Sequence, residues 1–197
     1  MKTAILVRHG ESEFSVRGAV NGDPAVVCPL TERGREQARA LGRTLVHERI
    51  ELCVTSAFPR VVETADVALD GREVPRLVFR ELNDPKAGEF EGGPLSRYRG
   101  WAHSHTSADE PPGGGESRVS LVSRYARGFR RVLERPEEVV LVVAHSLPIA
   151  YVLRALDGAG PVRDIPVVDY AVPHRLEAAQ LERAIECLEA WAAAPTW

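Results

Sequence analysis

Ile5-Leu6-Val7-Arg8-His9-Gly10-Glu11-Ser12 is the stretch from which the rest of the chain can be read. It starts as a short apolar run, the mark of a buried strand. It then stops at an Arg and a His, followed by a Gly that lets the chain turn. A strand that carries a cation and an imidazole to the edge of a sheet is suited to meet an anion. Val139-Val140-Leu141-Val142-Val143-Ala144-His145-Ser146 repeats the pattern, again an apolar run closing on a His. If the two strands lie parallel in one sheet, both imidazoles emerge at the same edge, outside the carboxyl ends where open α/β sheets bind their ligands.

Working outward, Thr31 is placed as an N-cap opening a helix whose Ala38, Leu41, Leu45 and Val46 form one apolar stripe. Leu52-Cys53-Val54 reads as a second strand ending in Thr55-Ser56. Pro59 suits the first turn of a helix with Val61, Val62, Ala65 and Ala68 facing inward, and Leu77-Val78-Phe79 reads as a third strand. This alternation predicts right-handed βαβ units: an α/β fold of three layers, with a mostly parallel sheet and helices on both faces. Residues 13–29 read as a loop over the mouth of the site. Residues 80–117, broken by Gly88, Gly92-Gly93-Pro94 and the Pro/Gly run at 111–115, read as a small, partly helical cap insertion with a mobile tip near 109–115. A long helix carrying Leu121, Val122, Tyr125 and Phe129 precedes the Val139 strand. Then come a helix from Pro148, an edge strand near 170–176 whose Pro173 argues against a central place, and a terminal amphipathic helix. A single domain over residues 1–197 is expected.

Composition limits the partners. The chain has 197 residues and a formal net charge of −3, enough length for a sizeable core and no basic footprint for nucleic acid. No apolar stretch reaches membrane-spanning length, and the N-terminus runs straight into the first strand, leaving no room for a signal peptide. Cys28, Cys53 and Cys187 are scattered without metal-ligand spacing. The expectation is a cytoplasmic protein with free thiols, no metal or other cofactor, and a small-molecule partner. No Gly-rich nucleotide loop is present, so ATP is not implied, and His103-x-His105 reads as a surface pair. Lys2 and Lys86 are the only lysines. With Arg so common, position in a pattern must carry any argument about a cation.

Arg8-His9-Gly10-Glu11-Ser12 is followed in order by Leu30-Thr31-x-x-Gly34-x-x-Gln37-Ala38, Ser56-x-x-x-Arg60-x-x-x-Thr64-Ala65, Glu81-Leu82 and His145. This ordered set resembles the histidine phosphatase (phosphoglycerate mutase-like) superfamily. The resemblance implies that His9 becomes a phosphohistidine and that Arg8, Arg60 and His145 form the phosphate pocket. The residue types fit that chemistry. A nucleophilic His must be neutral with one ring nitrogen tied as a donor, and phosphoryl transfer relies on positioning and on cationic clamping, for which the planar fork of Arg is suited. The leaving alkoxide needs a general acid. Glu81, directly after the third strand, is the candidate, and Glu91 of Glu91-Gly92 is its rival, because the interval from Glu81 to Gly88 is longer than usual by an apparent insertion around residues 83–86. Ser15 stands where many relatives carry a pocket Asn, Asn21-Gly22 where a Gln-Gly is common, and Ser146 where a Gly usually follows the second His. Ser15, Asn21, Gly22 and Ser146 are therefore expected to line the substrate site, Ser146 by capping its helix or donating a bond.

The function expected is metal-independent hydrolysis of a small phosphomonoester through a phosphohistidine, of the histidine acid phosphatase type. Two alternatives stand beside it: a phosphoglycerate mutase-type phosphotransfer, and a catalytically silent phosphate-binding or interaction protein.

Overall fold

The computed structural model describes residues 1–197. Five strands form one sheet in the order β3-β2-β4-β1-β5: β1 (Thr3–Arg8), β2 (Leu52–Thr55), β3 (Arg76–Val78), β4 (Val139–Ala144) and β5 (Pro173–Glu177). β1 to β4 run parallel, and β5 pairs antiparallel with β1 at the edge, where Pro173 is tolerated. The helices are α1 (Glu13–Arg17), α2 (Glu32–Thr44), α3 (Pro59–Ala68), α4 (Leu95–Ser104), α5 (Arg118–Leu133), α6 (Ser146–Ala155) and α7 (Ala178–Ala193). No helix is long and apolar enough to cross a membrane.

Alternation along the central strands builds the three layers. Ala4 and Leu6 of β1, with Val140, Val142 and Ala144 of β4, pack under α5, α6 and α7. Ile5 and Val7, with Leu141 and Val143, pack under α2 and α3. Because both faces of β1 and β4 are covered, the two strands are continuous apolar runs, as parallel strands buried on both sides must be. Every hydrophobic residue in them is buried but Val139.

Residues 13–29 contain a short helix, α1, that the sequence reading treats as loop. α6 begins at Ser146, two residues before the expected Pro148. The cap is a small cluster of its own, with Val20, Ala87, Phe90 and Tyr98 buried together. The 109–115 segment, expected to be mobile, is stitched to the stretch before it by the Glu89 N–H, which donates to Pro112 O at 2.7 Å, and just beyond it the Glu116 N–H donates to Lys86 O at 2.9 Å.

Candidate active site

The register of β1 against β4 pairs Arg8 with Ala144, so His9 and His145 each stand one residue beyond paired strand ends. Their ring centroids are 5.4 Å apart. The turn after β1 is held by residues of the sequence motifs. The Gly10 N–H donates to Thr64 Oγ1 at 3.0 Å, and the Thr64 hydroxyl donates to Arg60 O at 2.7 Å. The Glu11 N–H donates to Gln37 Oε1 at 2.8 Å, and the Thr31 hydroxyl donates to the Glu11 carboxylate at 2.8 Å. A Cβ on Gly10 would stand 2.5 Å from Gly34 O, so the close approach of this turn to α2 requires Gly.

His9 is buried, and its Nδ1 lies 2.7 Å from Gly10 O. A carbonyl only accepts, so Nδ1 carries the proton and Nε2 presents its lone pair. Arg60 Nε donates to that Nε2 at 3.2 Å. Burial first, then Arg60, His145 and Arg8, hold the His9 pKa well below the usual 6.5, so the ring is neutral at pH 7.

Arg60 is buried at the start of α3, and its fork reaches three more groups. Nη1 donates to Asn21 Oδ1, while Nη2 donates to Asp84 Oδ2 at 2.5 Å and lies 3.3 Å from His145 Nδ1. His145 Nδ1 is also 3.0 Å from Asp84 Oδ2. An ionised carboxylate is acceptor-only, which places the proton of His145 on Nδ1 and leaves Nε2 to accept from the Ser56 hydroxyl at 2.9 Å. Burial lowers the His145 pKa; Asp84 opposes this but does not reverse it. For Asp84, burial pushes the pKa up, but His145 and Arg60 outweigh it and hold the carboxyl well below its usual range.

Arg8 completes the group from β1. Its Nη1 donates to Val168 O at 2.7 Å, and its guanidinium carbon sits 3.6 Å from the centroid of the Tyr170 ring. Its Nε is buried without a hydrogen-bond partner. A buried unpaired donor is what a ligand oxygen would satisfy.

Of the expected residues, His9, Asn21 and His145 are joined through the Arg60 side chain, and Arg8 stands next to them across the Tyr170 ring. The other expected residues do not join this group. Glu81 sits in a 3-10 turn (Arg80–Leu82), where its carboxylate pairs with Arg131 of α5 at 2.6 Å. Partial burial pushes its pKa up, but its own backbone amide and Arg131 win and keep it low. It lines a surface groove with Ala57, Val62, Val78, Arg80 and Arg131 that contains none of the histidine cluster. Glu91 accepts the Gly22 N–H at 2.8 Å on one oxygen and the Ala87 N–H at 2.9 Å on the other. One oxygen therefore staples the cap to the 20s loop, with the Gly22 N–H consumed there, and the other holds the cap's own backbone at Ala87. The Ser15 hydroxyl pairs with that of Ser12 at 2.8 Å. Ser146 occupies the first turn of α6 rather than the cap, which is His145, and its Oγ accepts the Val168 N–H at 2.9 Å.

The carboxylate that joins the cluster is Asp84, which the sequence reading passes over. The signal was the surplus interval between Glu81 and Gly88: Asp84 lies within it and shortens the distance from carboxylate to Gly88 by three residues. Tyr170 and Ser56 are the other residues missed. Ser56 lies in a motif already singled out, whereas Tyr170 arrives from the loop before β5, with no local signal. No group of three or more His, Cys, Asp and Glu is placed to hold a metal ion.

Residues 4–191 match the histidine phosphatase superfamily (branch 1), and the chain belongs to it. It is 34% identical over 170 residues to a 2,3-bisphosphoglycerate-dependent phosphoglycerate mutase of Methylobacterium sp. (strain 4-46), covering 78% of this chain and 80% of that one. Over 86 residues it is 40% identical to an adenosylcobalamin/alpha-ribazole phosphatase of Salmonella typhimurium, covering 44% of this chain and 42% of that one. The solved alpha-ribazole phosphatase of Shigella flexneri superposes with a TM-score of 0.74 at 25% identity, over 88% of this chain and 89% of the other. These relatives are phosphatases and mutases, and the chain is of an enzyme family.

Proposed function

We propose that this chain is a metal-independent phosphomonoesterase that works through a phosphohistidine on His9, with a small phosphorylated metabolite as substrate. The observation that carries the reading is the fixed tautomer of His9: Nδ1–H is tied to Gly10 O, so the lone pair is on Nε2, where it faces Arg60 Nε, a donor that an incoming phosphoryl oxygen would draw away, with His145 alongside. Attack forms the N–P bond while the ester P–O bond breaks and its electron pair goes to the leaving oxygen. Arg60, Arg8 and His145 meet the charge spread over the equatorial oxygens.

The leaving oxygen takes its proton from Asp84 rather than Glu81, because Asp84 touches the same arginine and histidine that would hold the phosphate. A low pKa suits a base, not an acid, but the same contacts explain the change of role. A phosphoryl dianion placed between Arg60 and His145 draws the Arg60 guanidinium toward itself and sets a like charge beside the carboxylate. Both effects raise the Asp84 pKa, so the carboxylate takes up a proton from solvent as the phosphoryl group binds and then gives that proton to the leaving oxygen. Water then attacks the phosphohistidine, Asp84 accepts its proton, the N–P bond breaks, and phosphate leaves. The three free cysteines fit a reducing compartment, which supports a cytoplasmic location.

Transfer to a second hydroxyl would make the chain a mutase, like its Methylobacterium relative. The test is a panel of phosphomonoesters, phosphoglycerates included, assayed with and without EDTA. Free phosphate as the main product, undiminished by chelator, is expected. Isomerised phosphoglycerate with negligible phosphate release would select the mutase. Activity lost to EDTA and restored by metal would overturn the mechanism.

A further inference from the structure

Ser146 stands where the resemblance expects Gly, and its hydroxyl joins a closed circuit of contacts around Arg8. The end of β1 is tied to the segment before β5 by the Ala171 N–H, which donates to Arg8 O at 2.9 Å. Ala171 has φ 54, the only positive value outside glycine. L residues adopt that conformation at a cost, so the bend there is held by its surroundings. Just before it, the Tyr170 ring covers the Arg8 guanidinium and the Val168 carbonyl takes Nη1. The Val168 peptide is itself anchored through its N–H to Ser146 Oγ at 2.9 Å. Val168 is buried, so without that hydroxyl its N–H would lose its partner in the protein interior.

The consequence lies in which edge of the guanidinium is left. With Nη1 held by Val168, the fork of Nε and Nη2 remains, and the Nε–H is the buried, unpartnered donor. Two parallel N–H groups match two oxygens of a phosphoryl group. We propose that Ser146 is a positioning residue: through the Val168 peptide it sets the rotation of Arg8, so that the Nε–Nη2 edge faces a phosphoryl group at His9 Nε2. This rests on the phosphate reading of the site. It replaces the role expected from sequence, in which Ser146 itself touches substrate.

The test measures binding rather than turnover. Inorganic phosphate and orthovanadate are titrated into the wild type, Ser146→Ala, Ser146→Gly, Ser146→Thr, Arg8→Gln and the Arg8→Gln/Ser146→Ala double variant, with thermal unfolding followed in parallel. Loss of the hydroxyl in Ser146→Ala weakens both anions by about 3–10-fold, the size of one hydrogen bond, and Ser146→Gly does the same. Ser146→Thr, which keeps the hydroxyl, restores binding to within about 2-fold. In the Arg8→Gln background the Ser146→Ala change adds nothing, because the effect passes through Arg8. The Arg8 Nε–H resonance also exchanges faster in Ser146→Ala. Unchanged affinity in both hydroxyl-deleting variants, or a loss of equal size in the Arg8→Gln background, would overturn the proposal; the second result would return Ser146 to direct contact with the anion. A wild type that binds neither anion would overturn the phosphate reading of the whole site, and this proposal with it.

Discussion

The ends of β1 and β4 and the stretch from Arg80 to Phe90 each offer charged side chains to the same edge of the sheet, but under different constraints. At the strand ends, parallel pairing and burial on both faces leave no freedom. Once Arg8 pairs with Ala144, His9 and His145 must emerge side by side. The stretch after β3 is two 3-10 turns joined by irregular chain, with no period to say which way a side chain points. Two of its carboxylates, and Glu91 just after it, went three ways: Glu81 to Arg131, Asp84 to Arg60 and His145, and Glu91 to two backbone amides. The place of a site residue can therefore be read from sequence where its backbone is dictated by a ladder. Where packing alone aims the side chain, only the folded structure identifies it.

The largest test of the strand-end half is His9→Ala. It should abolish both turnover and the acid-labile phosphoenzyme, since in the other imidazole of the cluster, His145, Nδ1 is held by Asp84 and the lone-pair nitrogen Nε2 is bound to the buried Ser56 hydroxyl. Rapid quench with labelled substrate checks this, and label that still accumulates on the protein would move the nucleophile elsewhere.

The irregular half is tested by its carboxylates. Asp84→Asn should slow hydrolysis of alkyl phosphates by ~10²–10⁴-fold while largely sparing p-nitrophenyl phosphate, whose phenolate leaves unaided. Glu81→Gln removes a surface pair with Arg131, worth at most about 1 kcal/mol, and should leave both rates within about 2-fold. The reverse pattern would return the acid role to Glu81. A smaller effect, on stability rather than chemistry, is expected of Glu91→Gln. The amide cannot accept both backbone N–H groups as well as the carboxylate does, and about 1–2 kcal/mol should be lost in denaturant unfolding.

The smallest effect concerns pH. Burial lowers the pKa of His9 and His145 in the fold, whereas in the unfolded chain they take up protons near the ordinary value of about 6.5. The unfolded state thus binds more protons as pH falls through that value, and stability declines from there downward, by up to about 1.4 kcal/mol per pH unit for each histidine. Asp84, with its pKa lowered, adds a loss only at far lower pH. Denaturant midpoints at pH 7.5 and 5.5 should show a decline that is shallower in His9→Ala. An unchanged slope would mean that His9 is protonated in the fold.

The sequence by itself determined the α/β alternation and the two histidines at one edge, while Arg8 and Arg60 were singled out as their partners only by the family resemblance. The alternation and the shared edge follow from local rules: apolar runs make buried strands, helical stripes make covering layers, and parallel strands end at the same edge. It also contained the residues that brace the turn, Gly34, Gln37 and Thr64, though not what they brace. Tertiary structure alone decided that Asp84 turns inward and Glu81 outward, that Glu91 is a staple, and that Ser146 reaches Arg8 by way of Val168. The physical reason is the distance over which these choices are made. The Asp84 partners lie 24 and 61 residues away, those of Glu91 include Gly22 across 69, and Arg8 meets Val168 across 160. A local pattern carries no information about a side chain whose direction is set by charges brought together only when the sheet and its cap close around them.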